Sequence, residues 1–271
     1  MTAFEKPNEA TIASMTRGSD KFTVAQPPQF SDKKEQQQYE KQRLAAAFRI
    51  FAMKGFDEGL AGHITLRDCI DPDTFWVNPL AIHFAHIKAS DLVRVSHQGE
   101  IVEGHHPINN AAFAIHSRIH MARPDVNAVA HAHTVYGRAF SALGQRLQPI
   151  SQDACMFYNN HALFAEFTGV VSATEEGDLI AGALENNMAV ILQNHGLLTT
   201  GKTVDAAAAN FVLMDSCCQS QLLAQSAGEL TLVPDAIAQQ TQRINGSDLV
   251  TWGNFQPMYM QVLAQDDSFL D

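Results

Sequence analysis

The sequence is short of cations, of paired cysteines and of long apolar runs, and each shortage closes off a class of protein. Its 271 residues hold 18 lysines and arginines against 29 aspartates and glutamates, a formal net charge of -11. An acidic surface of that size repels polyanions, so neither nucleic acid nor an anionic membrane is an expected partner. The four cysteines, Cys69, Cys155, Cys217 and Cys218, include no CxxC pair. Cys217 and Cys218 fall side by side in a helical pattern, so they point about 100° apart and cannot bridge. Such usage fits a reducing compartment. No window approaches the ~18 consecutive apolar residues of a membrane span. The opening MTAFEKPNEATIASMTRG lacks the apolar core of a secretion signal, so a cytoplasmic protein is expected. There is no fixed-period repeat and no low-complexity block.

What is present is core-forming material. Hydrophobic residues make up 46% and charged residues only 17%, which excludes a disordered chain. Residues 1–32 are polar, with Pro27 and Pro28 adjacent, and are expected to form a flexible arm. From Lys33 to Met53 the apolar positions Leu44, Ala47, Phe48 and Phe51 recur at helical steps, and Gly55 closes the helix. Short β runs follow: HITLR (63–67), TFWVN (74–78), DLVRVS (91–96) and EIVEG (100–104), the last two joined by a hairpin at His97-Gln98-Gly99. A helix over Asn109 to Ala122 is stopped by Arg123-Pro124-Asp125. Next come the strand VNAVAHAH, a short helix from Val135 to Leu143, and irregular sequence to Phe167. A helix over Glu175 to Asn186, a buried strand MAVILQ (188–193) and a long helix capped by Thr203 to Ala227 complete the pattern. A further helical stretch near Asp235 to Arg243 precedes a less regular tail. Mixed strands and helices predict an α/β or α+β sheet with helices on its faces, with residues 33–271 as a single domain.

Two histidines end the strand VNAVAHAH. His131 and His133 stand at i and i+2, so in a strand they project from one face, with Ala132 turned the other way. Two imidazoles so placed can close on one metal ion. A third candidate is His195 in ILQNHGLL, directly after a buried strand, where Gly196 permits a sharp turn. Three neutral histidines with one open position make a catalytic metal site that zinc accepts, and that iron, cobalt or manganese also suits. His116 and His120, one helical turn apart, are a rival pair whose plainer reading is a packed helix face.

Residues 196–203, GLLTTGKT, match the phosphate-loop pattern GxxxxGK[ST] between a strand and a helix. The bulky, β-prone LLTT does not suit a backbone that must turn its N–H groups inward. The simpler account is a strand, a turn at Gly201 and a helix capped by Thr203.

Four stretches together, AGHITLR (61–67), VNPLAIHF (77–84), PINNAAFAIHSRIHMARPDVNAVAHAH (107–133) and ILQNHGLLTTGKTVDAA (191–207), resemble the class II aldolase/adducin family. The resemblance spans roughly residues 36–227 and is nearer the longer, adducin-like branch. It implies a three-layer α/β/α fold around a large central mixed sheet, followed here by a C-terminal extension. It also implies a homotetramer with sites at subunit boundaries, and a divalent metal, usually zinc, on His131, His133 and His195. In such aldolases the metal polarises the carbonyl of a ketose phosphate.

The departures from the family pattern bear on the chemistry. The family's catalytic glutamate falls four residues before His116, where this chain has Ala112. The neighbouring Asn109 and Asn110 hydrogen-bond but take no proton at neutral pH. The family's phosphate stretch aligns with Asn78-Pro79-Leu80-Ala81, which has no hydroxyl. Its Gly-Asn becomes Gly62-His63. The candidate substrate contacts are therefore Gly62, His63, Asn78, Asn109 and Asn110. His63 is a substrate contact, a substitute base or a fourth ligand, unless it is a structural strand-end residue; Tyr158, Glu103 and His106 are further candidate proton carriers. Three functions follow: a zinc-dependent lyase cleaving a sugar phosphate such as L-fuculose 1-phosphate; other three-histidine chemistry, with Fe2+ activating oxygen or a metal assisting decarboxylation of an oxo acid; or a non-catalytic, adducin-like binding protein. The first is the leading expectation.

Overall fold

The computed structural model describes residues 26–167, 169 and 174–271; the arm expected over residues 1–32 lies outside the described residues as far as residue 25. The first helix, α1 (Lys33–Met53), starts where the Asp32 side chain accepts from the Lys34 amide. It stops at Gly55, whose φ of +73° suits glycine. Strands β1 (His63–Arg67), β2 (Thr74–Val77), β3 (Val93–Ser96) and β4 (Ile101–Glu103) follow as an antiparallel meander. Then come α2 (Asn110–Ala122), β5 (Ala128–Ala132), α3 (Val135–Ser141), β6 (His161–Phe164), α4 (Thr174–Leu184), β7 (Ala189–Leu192) and β8 (Gly196–Gly201). Helices α5 (Val204–Ala227), α6 (Asp235–Asn245) and α7 (Asp248–Gln265) end the chain.

The eight strands of the described residues join one sheet in the order β4-β3-β2-β1-β5-β8-β7-β6. Only β6 and β7 pair in parallel, and α4 supplies the crossover that such a pair needs. The strands alternate their faces. Ile64, Leu66, Ala128, Ala130, Ala132, Ile191 and Leu197 share a core with Phe48, Phe51 and Phe211 of α1 and α5. Val129, Val190 and Leu198 turn the other way, onto Ile115 and Ile119 of α2 and Ile180 and Leu184 of α4. The result is the three-layer α/β/α arrangement with a mixed central sheet. Each buried phenylalanine contributes roughly 1.5–3 kcal/mol. The alanines of β5 are matched by Ala207, Ala208 and Ala209 of α5 in the same core, so helix and sheet approach closely with little side-chain volume between them.

Two elements depart from expectation. The stretch read as irregular before Phe167 contains a 3-10 turn at Ala154–Phe157 and the edge strand β6. The tail read as less regular holds α7, eighteen residues long despite an internal Pro257. Its Leu249, Trp252, Phe255 and Val262 are buried, and this tertiary packing outweighs the helix-breaking residue. No helix of the described residues is long and apolar enough to cross a membrane. The GxxxxGK[ST] stretch is not a phosphate cradle. Residues 196–201 form β8, laddered to β5 on one side and β7 on the other, while Thr203 caps α5 by accepting from the Ala206 amide.

Candidate metal centre

Strand pairing brings the histidines together. His131 in β5 lies opposite His63 in β1 and opposite Leu198 in β8. His133 is one residue beyond the end of β5, on the same face by strand alternation. His195 fills the turn between β7 and β8, where its amide donates to the Leu192 carbonyl at 3.0 Å. Asn194 before it takes a left-handed φ of 58°, a conformation asparagine tolerates better than most side chains. Gly62, leading into β1 with φ +94°, passes so close to β5 that a Cβ would lie 3.3 Å from the His131 carbonyl oxygen.

The three rings sit edge to face. Their centroids are 5.1 Å apart for His131–His133, 4.8 Å for His131–His195 and 4.9 Å for His133–His195. One ring nitrogen from each lies within 4.8 Å of the others. The His133 and His195 Nε2 atoms are 3.1 Å apart. Two ligands at ~2.0 Å from a tetrahedral cation stand about 3.3 Å apart, so the donor set fits a small divalent ion. His131 Nδ1 is 2.7 Å from the Leu197 carbonyl oxygen and must donate to it. Its Nε2 lone pair is thereby left for a ligand role, with the ring held by a neighbouring main chain. Burial, reinforced by the neighbouring imidazoles, holds His131 well below the ordinary imidazole range. Burial also lowers His133, with Arg138 adding to the effect, and brings His195 down to about 4. All three imidazoles are therefore neutral at neutral pH, the form that can bind a cation.

A cavity of about 460 Å³ opens over the triad. Leu60, Ile115 and Phe167 give it apolar walls, and Asn109, Asn194 and Arg138 give it polar ones. No carboxylate is among its described lining residues. Gly62 and His63 also line it. His63 is 3% exposed, and neither of its ring nitrogens has a hydrogen-bond partner among the described residues. Its ring centroid is 5.0 Å from that of His131 and 4.5 Å from that of His116. It is not in the three-histidine group. Asn109 caps α2 by accepting from the Ala111 amide at 2.9 Å, and donates to the Leu60 carbonyl at 3.2 Å, so it ties two walls together.

Other expected residues lie elsewhere. Asn78 is buried beside Pro79 and does not line the cavity. Asn110 is exposed at the start of α2 and is likewise outside the lining. Ala112 is packed among Phe75, Val77, Val93 and Val95, so the position of the family's glutamate is part of an apolar cluster. Tyr158 follows the 3-10 turn and bonds to Asp235, away from the cavity lining; burial and that carboxylate raise its phenol above the ordinary value. Glu103 pairs with Arg94 at 3.4 Å, and neither it nor His106 lines the cavity. His116 Nδ1 and His120 Nε2 bond to one hydroxyl, Thr65 Oγ1, at 2.8 and 2.9 Å. That is the packed helix face. Sequence reasoning missed Leu60, Arg138 and Phe167, which lie on a loop, a helix and a strand exit with no spacing that relates them to the histidines.

Residues 42–222 match the sequence profile of the family described as Class II Aldolase and Adducin N-terminal domain. The chain is 49% identical over 251 residues to "Decarboxylase NovR" of Streptomyces niveus, covering 92% of each chain. It is 47% identical over 251 residues to "4-hydroxy-3-prenylphenylpyruvate oxygenase/4-hydroxy-3-prenylbenzoate synthase" of Streptomyces roseochromogenus subsp. oscitans, covering 92% of this chain and 90% of that one. Among solved structures, "L-fuculose 1-phosphate aldolase from Glaciozyma antarctica PI12" superposes with a TM-score of 0.83 at 39% identity, over 89% of this chain and 94% of that one. The chain belongs to the class II aldolase/adducin family. The curated relatives just described carry decarboxylase and oxygenase names, whereas the expected sugar-phosphate cleavage is the activity in the name of the structural neighbour.

Proposed function

We propose that the protein is a metal-dependent enzyme that removes the carboxylate of a 2-oxo acid bearing an apolar, aromatic group, with dioxygen as co-substrate. The observation that carries this reading is the cavity: three convergent neutral imidazoles under apolar walls, with no carboxylate in the described lining. A retro-aldol cleavage needs a group to take the hydroxyl proton, and the position that supplies one in the family is the packed Ala112. Loss of carbon dioxide from a 2-oxo acid needs no such base. It leaves an electron pair on the acyl carbon that an oxidant must accept, and the oxygenase name of one relative points to dioxygen, one atom of which would complete a new carboxylate at the acyl carbon while the other hydroxylates the carbon next to it, so that oxo acid and dioxygen balance hydroxy acid and carbon dioxide.

His131, His133 and His195 would hold the cation, which supplies Lewis acidity and, if it is iron rather than the expected zinc, redox capacity. The chain's own residues do the rest. Leu60, Ile115 and Phe167 bury an apolar substituent and keep water off the reacting carbons. His63 presents a neutral N–H to a substrate oxygen, because its buried nitrogens find no other partner. Residues 33–271 act as one domain, with α7 packed on α5 and α6 packed on the 3-10 turn at Ala154–Phe157. The exposed Val135 and Tyr136 are apolar surface for assembly into the tetramer that the family resemblance implies, in a cytoplasmic setting.

The test is metal analysis of protein purified with and without air, followed by oxygen uptake and carbon dioxide release with an arylpyruvate. Iron-dependent uptake of oxygen supports the reading; a zinc protein inert toward every 2-oxo acid ends it. The second reading, retro-aldol cleavage of a sugar phosphate, is favoured by the 39% identity to the Glaciozyma protein. It predicts release of dihydroxyacetone phosphate from L-fuculose 1-phosphate, abolished by chelation.

A further inference from the structure

Arg138 is the single cationic side chain among the described residues lining the cavity. Its seat is built with care. Thr134 caps α3, accepting from the Gly137 amide at 3.1 Å, and its hydroxyl donates to Asp215 Oδ1 of α5 at 2.5 Å. Gly137 has no room for a side chain there: a Cβ would lie 2.5 Å from Thr134 Oγ1 and 2.9 Å from Leu197. The Arg138 Nε donates back to the Thr134 carbonyl at 3.3 Å, which ties the guanidinium to the residue after His133. Its outer edge meets the Glu58 carboxylate at 2.9 Å. That pair is exposed, 46% for Arg138 and 42% for Glu58.

We propose that Arg138 is the anion anchor of the cavity and that Glu58 is its resident stand-in, displaced when the carboxylate of a substrate enters. The proposal rests on the reading of this cavity as the substrate site. An exposed ion pair is worth at most about 1 kcal/mol, so giving up Glu58 costs little. A carboxylate that meets the same guanidinium beneath apolar walls gains a charge-assisted, two-pronged hydrogen bond in a drier place. A plain structural pair and a stand-in differ in one respect. Breaking a structural pair from either side weakens the protein alike. Removing a stand-in leaves the anchor free and strengthens binding.

The experiment is calorimetric titration of the metal-loaded protein with phenylpyruvate, with its uncharged amide, and with a ketose phosphate. Wild type is compared with Arg138→Gln, Arg138→Lys and Glu58→Gln, each checked for unchanged metal content and melting temperature. Arg138→Gln should weaken phenylpyruvate by about 10- to 100-fold, the value of a hydrogen bond to a charged group, and leave the amide unchanged. Arg138→Lys should recover part of the loss. Glu58→Gln should tighten phenylpyruvate by about 1.5- to 5-fold. The anchor is overturned if the two neutralising variants shift phenylpyruvate the same way, or if Arg138→Gln weakens acid and amide equally. A ketose phosphate that binds with the same Arg138 dependence while phenylpyruvate does not bind upholds the anchor and removes the 2-oxo acid reading. Wild type that binds neither anion overturns both.

Discussion

Two groups of histidines, one wholly buried and one half-buried, lie on the same face of the sheet and have opposite fates. In His131, His133 and His195 the rings are edge to face, with nitrogens turned toward each other beneath a cavity. In His116 and His120 the facing nitrogens are both taken up by the hydroxyl of Thr65. A hydroxyl with one proton can donate to one imidazole and accept from the other, so a single threonine engages one nitrogen of each ring, while His116 Nε2 and His120 Nδ1 stay buried without a partner among the described residues. Burial alone therefore does not mark a ligand. What matters is whether one nitrogen from each of several rings converges on a common point beneath a cavity, as in the triad and not in the His116–His120 pair.

That contrast can be broken most sharply at the triad. His133→Ala or His195→Ala should cost metal affinity more than the roughly 100-fold upper end seen for outer-shell partners, measured by titration of the stripped protein. Comparable loss in His116→Ala would erase the distinction. Next in size is Thr65→Val, which leaves two buried nitrogens unpaired at about 1–3 kcal/mol each while metal content stays stoichiometric; urea unfolding reads the first and elemental analysis the second.

Acid sharpens the comparison from another side. His161 donates from Nδ1 to the Phe157 carbonyl at 2.6 Å and accepts at Nε2 from the Leu147 amide at 3.0 Å, so its folded form is neutral. Burial brings it from 6.5 to about 4. A depressed imidazole contributes stability that is whole above pH 6.5 and is lost as pH falls toward 4. For His161 the full span is about 3 kcal/mol. Metal-free protein should therefore lose stability on acidification through that window, and His161→Gln should flatten the slope by about one proton. A slope unchanged by the substitution would count against the neutral tautomer. The smallest effect belongs to the cap: Asn109→Ala should cost about 1 kcal/mol and leave metal binding intact, since its amide ties walls together without touching the triad.

The convergence of His131, His133 and His195 was legible because strand geometry is so regular. Two residues apart in β5 means one face, and a histidine between a buried strand and a glycine means a strand mouth. The three layers were legible in the alternation of β runs and helical runs, and the family resemblance named them. β6 was hidden because a four-residue strand at the sheet edge, flanked by a 3-10 turn, has too few alternations to register. α7 was hidden by Gly253 and Pro257, although Leu249, Trp252, Phe255 and Val262 keep helical spacing around them. Arg138 and Glu58 were not legible at all, because they meet across 80 positions of sequence through the way α3 is seated. Asn78 failed to reach the cavity for a related reason: its neighbourhood follows β2, which lies beyond β1 from the triad.

The bond from His131 to the Leu197 carbonyl has a consequence for supply. The heading of that ring is inherited from the pairing of β5 with β8, a backbone ladder that uses no side-chain atom of the three histidines. Chelator-stripped protein should then keep its shape and refill at once, with no refolding step to discriminate between candidates. Which element sits on the three imidazoles becomes a question of what the surrounding medium offers at the moment of loading, and a preparation's growth broth will be written into its catalytic record.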